Sequence, residues 1–305
     1  MSMVVIGTVF VDVKGFPTDV YVPGGRNAGR IEEVHGGVSR NVAENIAKCG
    51  FNPTFLSLVD GSGAAKAVMS RLDEVGVDTK YIKTTSDGMG TWLAIFDHTG
   101  EVVASLSKRP DFLPLAEVIR TQGDEIFKDC DSILLEIDID EAVVAEVFKF
   151  AKKYDKKVYS LISNMTLALE RKEYIKQCEC FVCNQQEAGI FFCEDLEKVT
   201  PSEMSDILQA KVKSVGLKSM IVTMADKGAA YADIDGNHGV CSALKVGVVD
   251  TTGAGDAFFS GAAMGMTYGR TMAESCAIGA KIAAAVICTT ENTCPTFTKA
   301  ELGLE

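Results

Sequence analysis

Val249-Asp250-Thr251-Thr252-Gly253-Ala254-Gly255-Asp256-Ala257-Phe258-Phe259-Ser260-Gly261, near the C-terminal end of the chain, decides how the rest is read. A strand-like apolar run, residues 246–249, stops at an Asp. Two threonines, two glycines around an alanine and a second Asp follow, and a small-residue helical stretch begins at once. Glycines let the backbone turn tightly and bring bare N–H groups against an anion. A helix start adds unpaired N–H donors and a positive dipole end. The pattern predicts a phosphate cradle. A carboxylate inside such a cradle is disfavoured by an incoming phosphate, so Asp256 is not expected to be there for stability alone. It stands where a base takes the proton of a hydroxyl whose oxygen attacks a phosphoryl group.

A second constellation lies upstream, Gly36-Gly37-Val38-Ser39-Arg40-Asn41-Val42-Ala43-Glu44-Asn45. Two glycines before a polar helix start allow close approach to a polyhydroxylated ligand. Asn41 offers one acceptor and two donors, suited to bracketing hydroxyls. Read alone, the simpler account is a Gly-Gly turn before an amphipathic helix with Arg40 and Asn41 solvated.

Around these motifs the chain alternates strand-like and helix-like segments, which predicts an α/β sheet with helices on its faces. Strands are expected at 3–10, 54–59, 132–137, 157–162, 180–183 and 220–224. Helices are expected at 38–49, 64–75, 141–153, 165–177, 202–215, 255–268 and 271–288, the last two packed closely through Ala and Gly. Residues 11–35, rich in Gly and Pro, and 91–108, with a His98-Thr99-Gly100 turn, break the rhythm. They are expected to leave the main sheet and pair as a small β-lid within one domain, 1–305, and the exposed apolar face of such a lid would favour a lid-to-lid homodimer.

The 305 residues are 47% hydrophobic and 24% charged, with a net charge of −12, which argues against broad nucleic-acid binding. No run approaches the roughly 18 to 20 apolar residues of a membrane span. The apolar start, 1–13, lacks a basic leader and a cleavage site, so a first core strand is expected there rather than a signal peptide. Ten cysteines without paired spacing fit a reducing cytoplasm. Cys178, Cys180 and Cys183 overlap a strand whose side chains alternate, with no clear second pair, so buried thiols are expected rather than zinc.

Taken together, Gly36-Gly37…Asn41 and Asp250-Thr-x-Gly-Ala-Gly-Asp256 resemble the two signatures of the ribokinase-like (PfkB) carbohydrate kinases, in order, separation and total length. The resemblance implies a three-layer α/β/α fold with a mostly parallel sheet and a β-lid. It also implies transfer of the γ-phosphoryl group of ATP, with Mg²⁺, to a sugar or nucleoside hydroxyl. Asp256 then looks like the catalytic base, and the backbone of Gly253, Ala254 and Gly255 like the oxyanion hole. Asp12, closing strand one, resembles the acid that accepts hydrogen bonds from sugar hydroxyls, and Asp138 lines up roughly with a sugar-contacting acid of some relatives. Asn184-x-x-Glu187 resembles the element that acts on Mg²⁺ and phosphate through water, although Glu187 also suits a helix start. Thr223 and Gly228 resemble positions that meet the nucleotide, and Asn292 falls near the adenine pocket. Asp250 and Thr252 match a monovalent-cation site, K⁺.

Val11-Asp12-Val13-Lys14-Gly15, Asn27-Ala28-Gly29-Arg30 and the Gly36–Asn45 run resemble the pseudouridine kinase branch, with Lys14 and Arg40 adding donors near the acceptor beside Gly36, Gly37 and Asn41. The stretch Tyr159-Ser160-Leu161-Ile162-Ser163-Asn164 departs from that branch, which leaves ribose or another sugar open as acceptor. A dinucleotide-binding dehydrogenase would need G-x-G-x-x-G after strand one, and a P-loop enzyme G-x-x-x-x-G-K-[ST]; neither is present. A non-catalytic sugar or nucleoside sensor is the remaining rival, and the intact Asp256 argues against it.

Overall fold

The computed structural model of the chain describes residues 1–87 and 89–305. In chain order its first half holds β1 (Met3–Ile6), β2 (Phe10–Pro17), β3 (Gly29–Gly36), α1 (Val38–Lys48), β4 (Thr54–Val59), α2 (Gly63–Val75), β5 (Ile82–Thr84), β6 (Gly90–Phe96), β7 (Val102–Lys108), α3 (Leu113–Phe127), β8 (Ser132–Glu136) and α4 (Glu141–Lys153). The second half holds β9 (Lys157–Leu161), α5 (Met165–Ala168), α6 (Lys172–Ile175), β10 (Cys180–Asn184), α7 (Gln185–Phe192), α8 (Pro201–Val215), β11 (Ser219–Thr223), β12 (Ala229–Asp233), β13 (His238–Cys241), α9 (Ala254–Thr267) and α10 (Met272–Val286).

The larger sheet has the order β13-β12-β11-β10-β9-β8-β1-β4-β5 and is parallel except for β12 and β13 at one edge. Successive strand residues face opposite sides. Val4 and Ile6 therefore join Leu56, Ile133 and Leu135 in the core under α3, α4 and α8, while Met3, Val5, Phe55 and Leu134 face α1, α2, α9 and α10. Burial on both faces explains why these strands read as continuous apolar runs. The small-residue packing expected of the last two helices is present. A Cβ placed on Gly261 of α9 would lie 2.7 Å from Gly279 Cα of α10, so the backbones approach there with no room for a side chain.

The smaller sheet has the order β3-β2-β6-β7, with β2 parallel to β6 and the other pairs antiparallel. Segments 11–35 and 91–108 supply these strands. Asp12 is registered with Trp92, and Trp92 with Ser107, which sets all three on one face. Val13, Leu93 and Leu106 share the other face, with Leu106 70% and Ile31 75% exposed.

Three local expectations are corrected. Residues 3–10 do not form one strand: β1 ends at Ile6, and Phe10 opens β2 in the smaller sheet. Between them Thr8 turns its N–H and hydroxyl to the buried Glu136 carboxylate, at 2.8 Å each, and the chain leaves the main sheet. Asp12 thus sits inside β2 rather than closing strand one. Residues 246–249 form no strand. Val248 and Val249 are each 61% exposed, and the Val249 N–H reaches the Ile287 carbonyl at 2.7 Å, not a neighbouring strand. Residues 165–177 hold α5, a 3₁₀ turn and α6 instead of one helix. Apolar spacing of three to four residues fits short α and 3₁₀ turns as well as a continuous helix.

Among the described residues no group of three or more His, Cys, Asp or Glu is placed to hold a metal ion, and burial pushes the Cys178 and Cys180 thiols up to about 12. No described helix is long and apolar enough to cross a membrane.

Candidate active site

The carboxyl ends of β1, β8 and β9 meet the first turns of α1 and α9 at one cleft of about 600 Å³. Ligands of open parallel sheets bind at this end of the strands, where loops diverge and helix N-termini point inward. The smaller sheet covers the cleft with Phe10, Asp12, Trp92 and Ser107.

Asp256 lies in the first turn of α9 and Asn41 in the first turn of α1. The Asn41 amide donates to Asp256 Oδ2 at 2.6 Å. Burial pushes the Asp256 carboxyl up to about 7; the Asn41 bond opposes this, the Glu136 charge adds to it, and Arg40 and Asp12 contribute smaller opposed effects. Asn41 Oδ1 is buried without a donor among the described residues. Desolvation likewise raises the pKa of Asp12, against the nearby charges of Lys14 and Arg40.

Gly253 caps α9 with φ 79°, in the left-handed region, and a Cβ on it would lie 2.1 Å from the Asn292 carbonyl oxygen. The Ala254 N–H is spent on the Thr251 carbonyl at 3.2 Å, whereas the N–H groups of Gly253, Gly255 and Asp256 have no protein acceptor among the described residues. A side chain on Gly255 would meet nothing within 4 Å, so this glycine leaves the space above the helix start open. Free amides, a helix dipole and open space fit the phosphoryl groups of a nucleoside triphosphate.

Gly36 packs against the Asp12 carboxylate, and Gly37, at φ 98°, leaves no room for a Cβ against the Thr8 carbonyl. Both line the cleft, as does Asn292, whose amide donates to the His35 carbonyl at 2.7 Å. Asn292 therefore stands beside Gly253 and Asp256, on the wall expected to hold the acceptor.

Two residues expected to touch the acceptor are engaged elsewhere. Arg40 is 2% exposed, with its guanidinium on Glu44 at 2.8 Å and on the His35 carbonyl. Glu44 also meets Lys48 at 2.9 Å, Arg71 at 2.8 Å and the Thr293 hydroxyl at 3.0 Å, and these partners outweigh its burial and hold its carboxyl at about 2. Arg40 is thus an anchor of α1 rather than part of the cleft wall. Asp138 is buried. It accepts from Arg109 at 2.9 Å, from the Ser163 hydroxyl at 2.8 Å, and from the Ser163 and Asn164 N–H groups. Its partners Arg109, Ser163 and Asn164 line the cleft in its place. Lys14, on the Asp12 face of β2, is not among the lining residues either.

Asn184, Glu187, Thr223, Gly228 and Asp250 do not line this cleft. Asn184 and Glu187 form a reciprocal cap on α7, at 2.8 and 2.7 Å. Desolvation raises the Glu187 pKa, and its Oε1 has no donor among the described residues. Oxygen ligands of this kind suit a hydrated Mg²⁺. Thr223 ends β11, and Gly228 closes the turn to β12, its carbonyl accepting from the Met224 N–H at 2.7 Å. Asp250 accepts from the Thr252 N–H and hydroxyl, both at 2.8 Å; these bonds outweigh desolvation and hold its pKa low.

Sequence reasoning missed Glu136, fully buried at the end of β8. It accepts from Thr8 and from the Ser39 hydroxyl at 2.9 Å, tying the exit of β1 to the start of α1. An acid in the run Leu134-Leu135-Glu136-Ile137 was the available signal: a charge in an otherwise apolar strand. Arg109 was missed because its surroundings, Ser107-Lys108-Arg109-Pro110-Asp111, form no motif.

A helix-start anion cradle, a carboxylate at its lip and a polar cleft under a β-cover define a phosphotransferase acting on a small hydroxylated molecule. The chain belongs to the pfkB family of carbohydrate kinases, whose model matches residues 1–298. It is 32% identical to the guanosine-inosine kinase of Exiguobacterium acetylicum over 293 residues, 95% of this chain and 96% of that relative. It is 25% identical to the pseudouridine kinase of Escherichia coli K12, over 90% of this chain and 86% of the relative. The fold matches Arabidopsis thaliana ribokinase complexed with ribose and ATP, with a TM-score of 0.82, 20% identity, and coverage of 99% of this chain and 97% of that one. The protein is an ATP-dependent sugar or nucleoside kinase with the ribokinase-like fold.

Proposed function

We propose that the chain transfers the γ-phosphoryl group of ATP to the 5′-hydroxyl of a nucleoside, with Asp256 as general base. The observation that carries the nucleoside reading is the lining of the cleft. Beside Asp12 and Asn41 it is lined by Phe10, Trp92 and Leu167, with Arg109 and Ser107. A free pentose needs no aromatic and apolar extension; a base does.

The sugar lies between Asp12, Asn41, Gly36 and Gly37, where a hydroxyl supplies the donor that Asn41 Oδ1 lacks. The 5′-hydroxyl gives its proton to Asp256, its oxygen bonds to the γ-phosphorus, and the bond to the departing ADP breaks. A carboxyl near 7 is poised to take that proton at neutral pH. The free amides of Gly253 and Gly255 hold the phosphoryl oxygens, with Ala254 shaping the turn. Thr223 and Gly228 border the nucleotide, whereas Asn292 stands on the acceptor side. Asn184 and Glu187 would hold Mg²⁺ through water, which would neutralise phosphate charge, and Asp250 with Thr252 would take K⁺. Closure of the smaller sheet as a lid excludes water. Its outer apolar face, Ile31, Leu93 and Leu106, supports a homodimer, to be tested by sedimentation.

For the acceptor, a 6-oxopurine nucleoside is favoured by the 32% identity over nearly the full length of both chains. Pseudouridine is the second reading, supported by the resemblance of the Gly36–Asn45 run and by the more distant relative. Lys14, Arg30 and Arg40, which suggested it, do not line the cleft. A phosphorylation screen with ATP and Mg²⁺ across inosine, guanosine, pseudouridine, ribose and fructose 6-phosphate tests the proposal. Turnover of nucleosides above free sugars supports it, and turnover confined to sugars overturns it.

A further inference from the structure

We infer that Arg109 selects the base of the acceptor by donating to a carbonyl oxygen on it, and so separates 6-oxopurine from 6-aminopurine nucleosides. The inference rests on the nucleoside reading above.

Arg109 follows β7 directly, at the root of the smaller sheet, yet its guanidinium is fixed to the main body. Nη1 donates to the Asp138 carbonyl at 3.0 Å, and Nη2 to Asp138 Oδ2 at 2.9 Å and to the Ser163 hydroxyl at 2.6 Å. The Asp138 side chain is wholly buried, whereas that of Arg109 remains 26% exposed and faces the cleft. Of five guanidinium N–H groups, three are spent; Nε–H and one on Nη1 have no acceptor among the described residues.

Two properties follow. First, a guanidinium only donates, so it rewards an acceptor such as O6 of hypoxanthine or guanine and opposes the amino group of adenine. A held, half-buried donor also disfavours a ligand that leaves it unpaired. Second, the ion pair with Asp138 compensates the charge. What faces the cleft is a held donor without net charge, which suits a neutral carbonyl better than a phosphate dianion. A sugar phosphate is therefore a poorer fit at this end.

The test compares kcat/KM for inosine, purine riboside (which lacks O6) and adenosine. The enzymes are the wild type, Arg109→Met, and the double variant Arg109→Met with Asp138→Asn, which avoids a buried unpaired carboxylate if the single variant folds poorly. The wild type should prefer inosine over purine riboside by about 10- to 100-fold, the range of one charge-assisted hydrogen bond. The variants should bring that ratio near one, because they lose inosine more than purine riboside. An unchanged ratio in a folded variant overturns the inference and leaves the nucleoside reading standing. So does an equal loss for all three substrates, as contact with the shared N7 would give. Wild-type enzyme that uses fructose 6-phosphate and no nucleoside overturns both.

Discussion

The Asn41 side-chain amide donates to Asp256 Oδ2 at 2.6 Å and joins the first turns of α1 and α9 across 215 residues of sequence. One bond thus couples the half of the site assigned to the sugar with the half assigned to phosphate. It also holds the Asp256 pKa below what burial alone would give.

That coupling predicts a pH profile. As the proposed base, Asp256 would act only when ionised, so kcat/KM should fall on the acid side of about pH 7. Asn41→Ala removes the bond that favours the carboxylate, and the acidic limb should move to higher pH. Initial rates across neutral pH measure it. A limb that stays in place or moves down separates the titrating group from Asp256.

Asp256 also makes stability depend on pH. Its folded pKa of about 7 exceeds the unfolded value of about 3.9, so the folded state binds the proton more tightly. Wild-type stability should therefore decline as pH rises from about 4 through about 7. Asp256→Asn loses no proton. Its Tm should exceed that of the wild type above neutrality, and the gap should close in acid. Ligand-free thermal melts across this range test the sign.

Glu44 has the opposite sign. Its carboxyl is held at about 2 by Arg40, Lys48 and Arg71, so its stabilisation is complete above the ordinary carboxylate range and is lost as pH falls toward 2. Glu44→Ala leaves the Arg40 charge buried and unpaired, which costs roughly 3–5 kcal/mol. Urea unfolding at neutral pH should show that loss, with the difference from wild type shrinking at acid pH. A variant of wild-type stability contradicts the anchor role.

Gly253→Ala forces a Cβ to within 2.1 Å of a backbone carbonyl at a positive φ, so the start of α9 must shift. Turnover should drop and the KM for ATP rise more than the KM for the acceptor. Steady-state kinetics with each substrate varied in turn read the split. An unchanged ATP KM places the nucleotide away from this turn.

How much of this was legible follows from where each constraint lives. The turn at Gly253–Asp256 could be read because free amides at a helix start are set by glycines and small residues close together in the chain, which leave a local sequence pattern. The sheet was legible in continuous apolar runs alternating with helix-like segments, and its bounds shifted by a residue or so where carboxyl ends lead into caps, as at Asn184. Asp12 lines the cleft but stands inside β2 rather than closing strand one, because the turn at Thr8 is set by Glu136, 128 residues away. Arg109 was hidden in the same way, because the Asp138 that fixes it lies 29 residues on: a charged side chain is read as a ligand contact or an anchor only once its partner is in place. Arg40 shows this from the other side. Its motif placed it beside the acceptor, and Glu44, one helical turn on, draws it inward.

The most direct test of the account is phosphoryl transfer by Asp256→Asn. With inosine or pseudouridine and labelled ATP·Mg²⁺, formation of the nucleoside 5′-phosphate should fall by about 10²-fold or more relative to the wild type. Nucleoside affinity by calorimetry should stay within a few-fold. A variant that keeps near wild-type turnover contradicts Asp256 as the base, and with it the assignment of this cleft as the site of transfer.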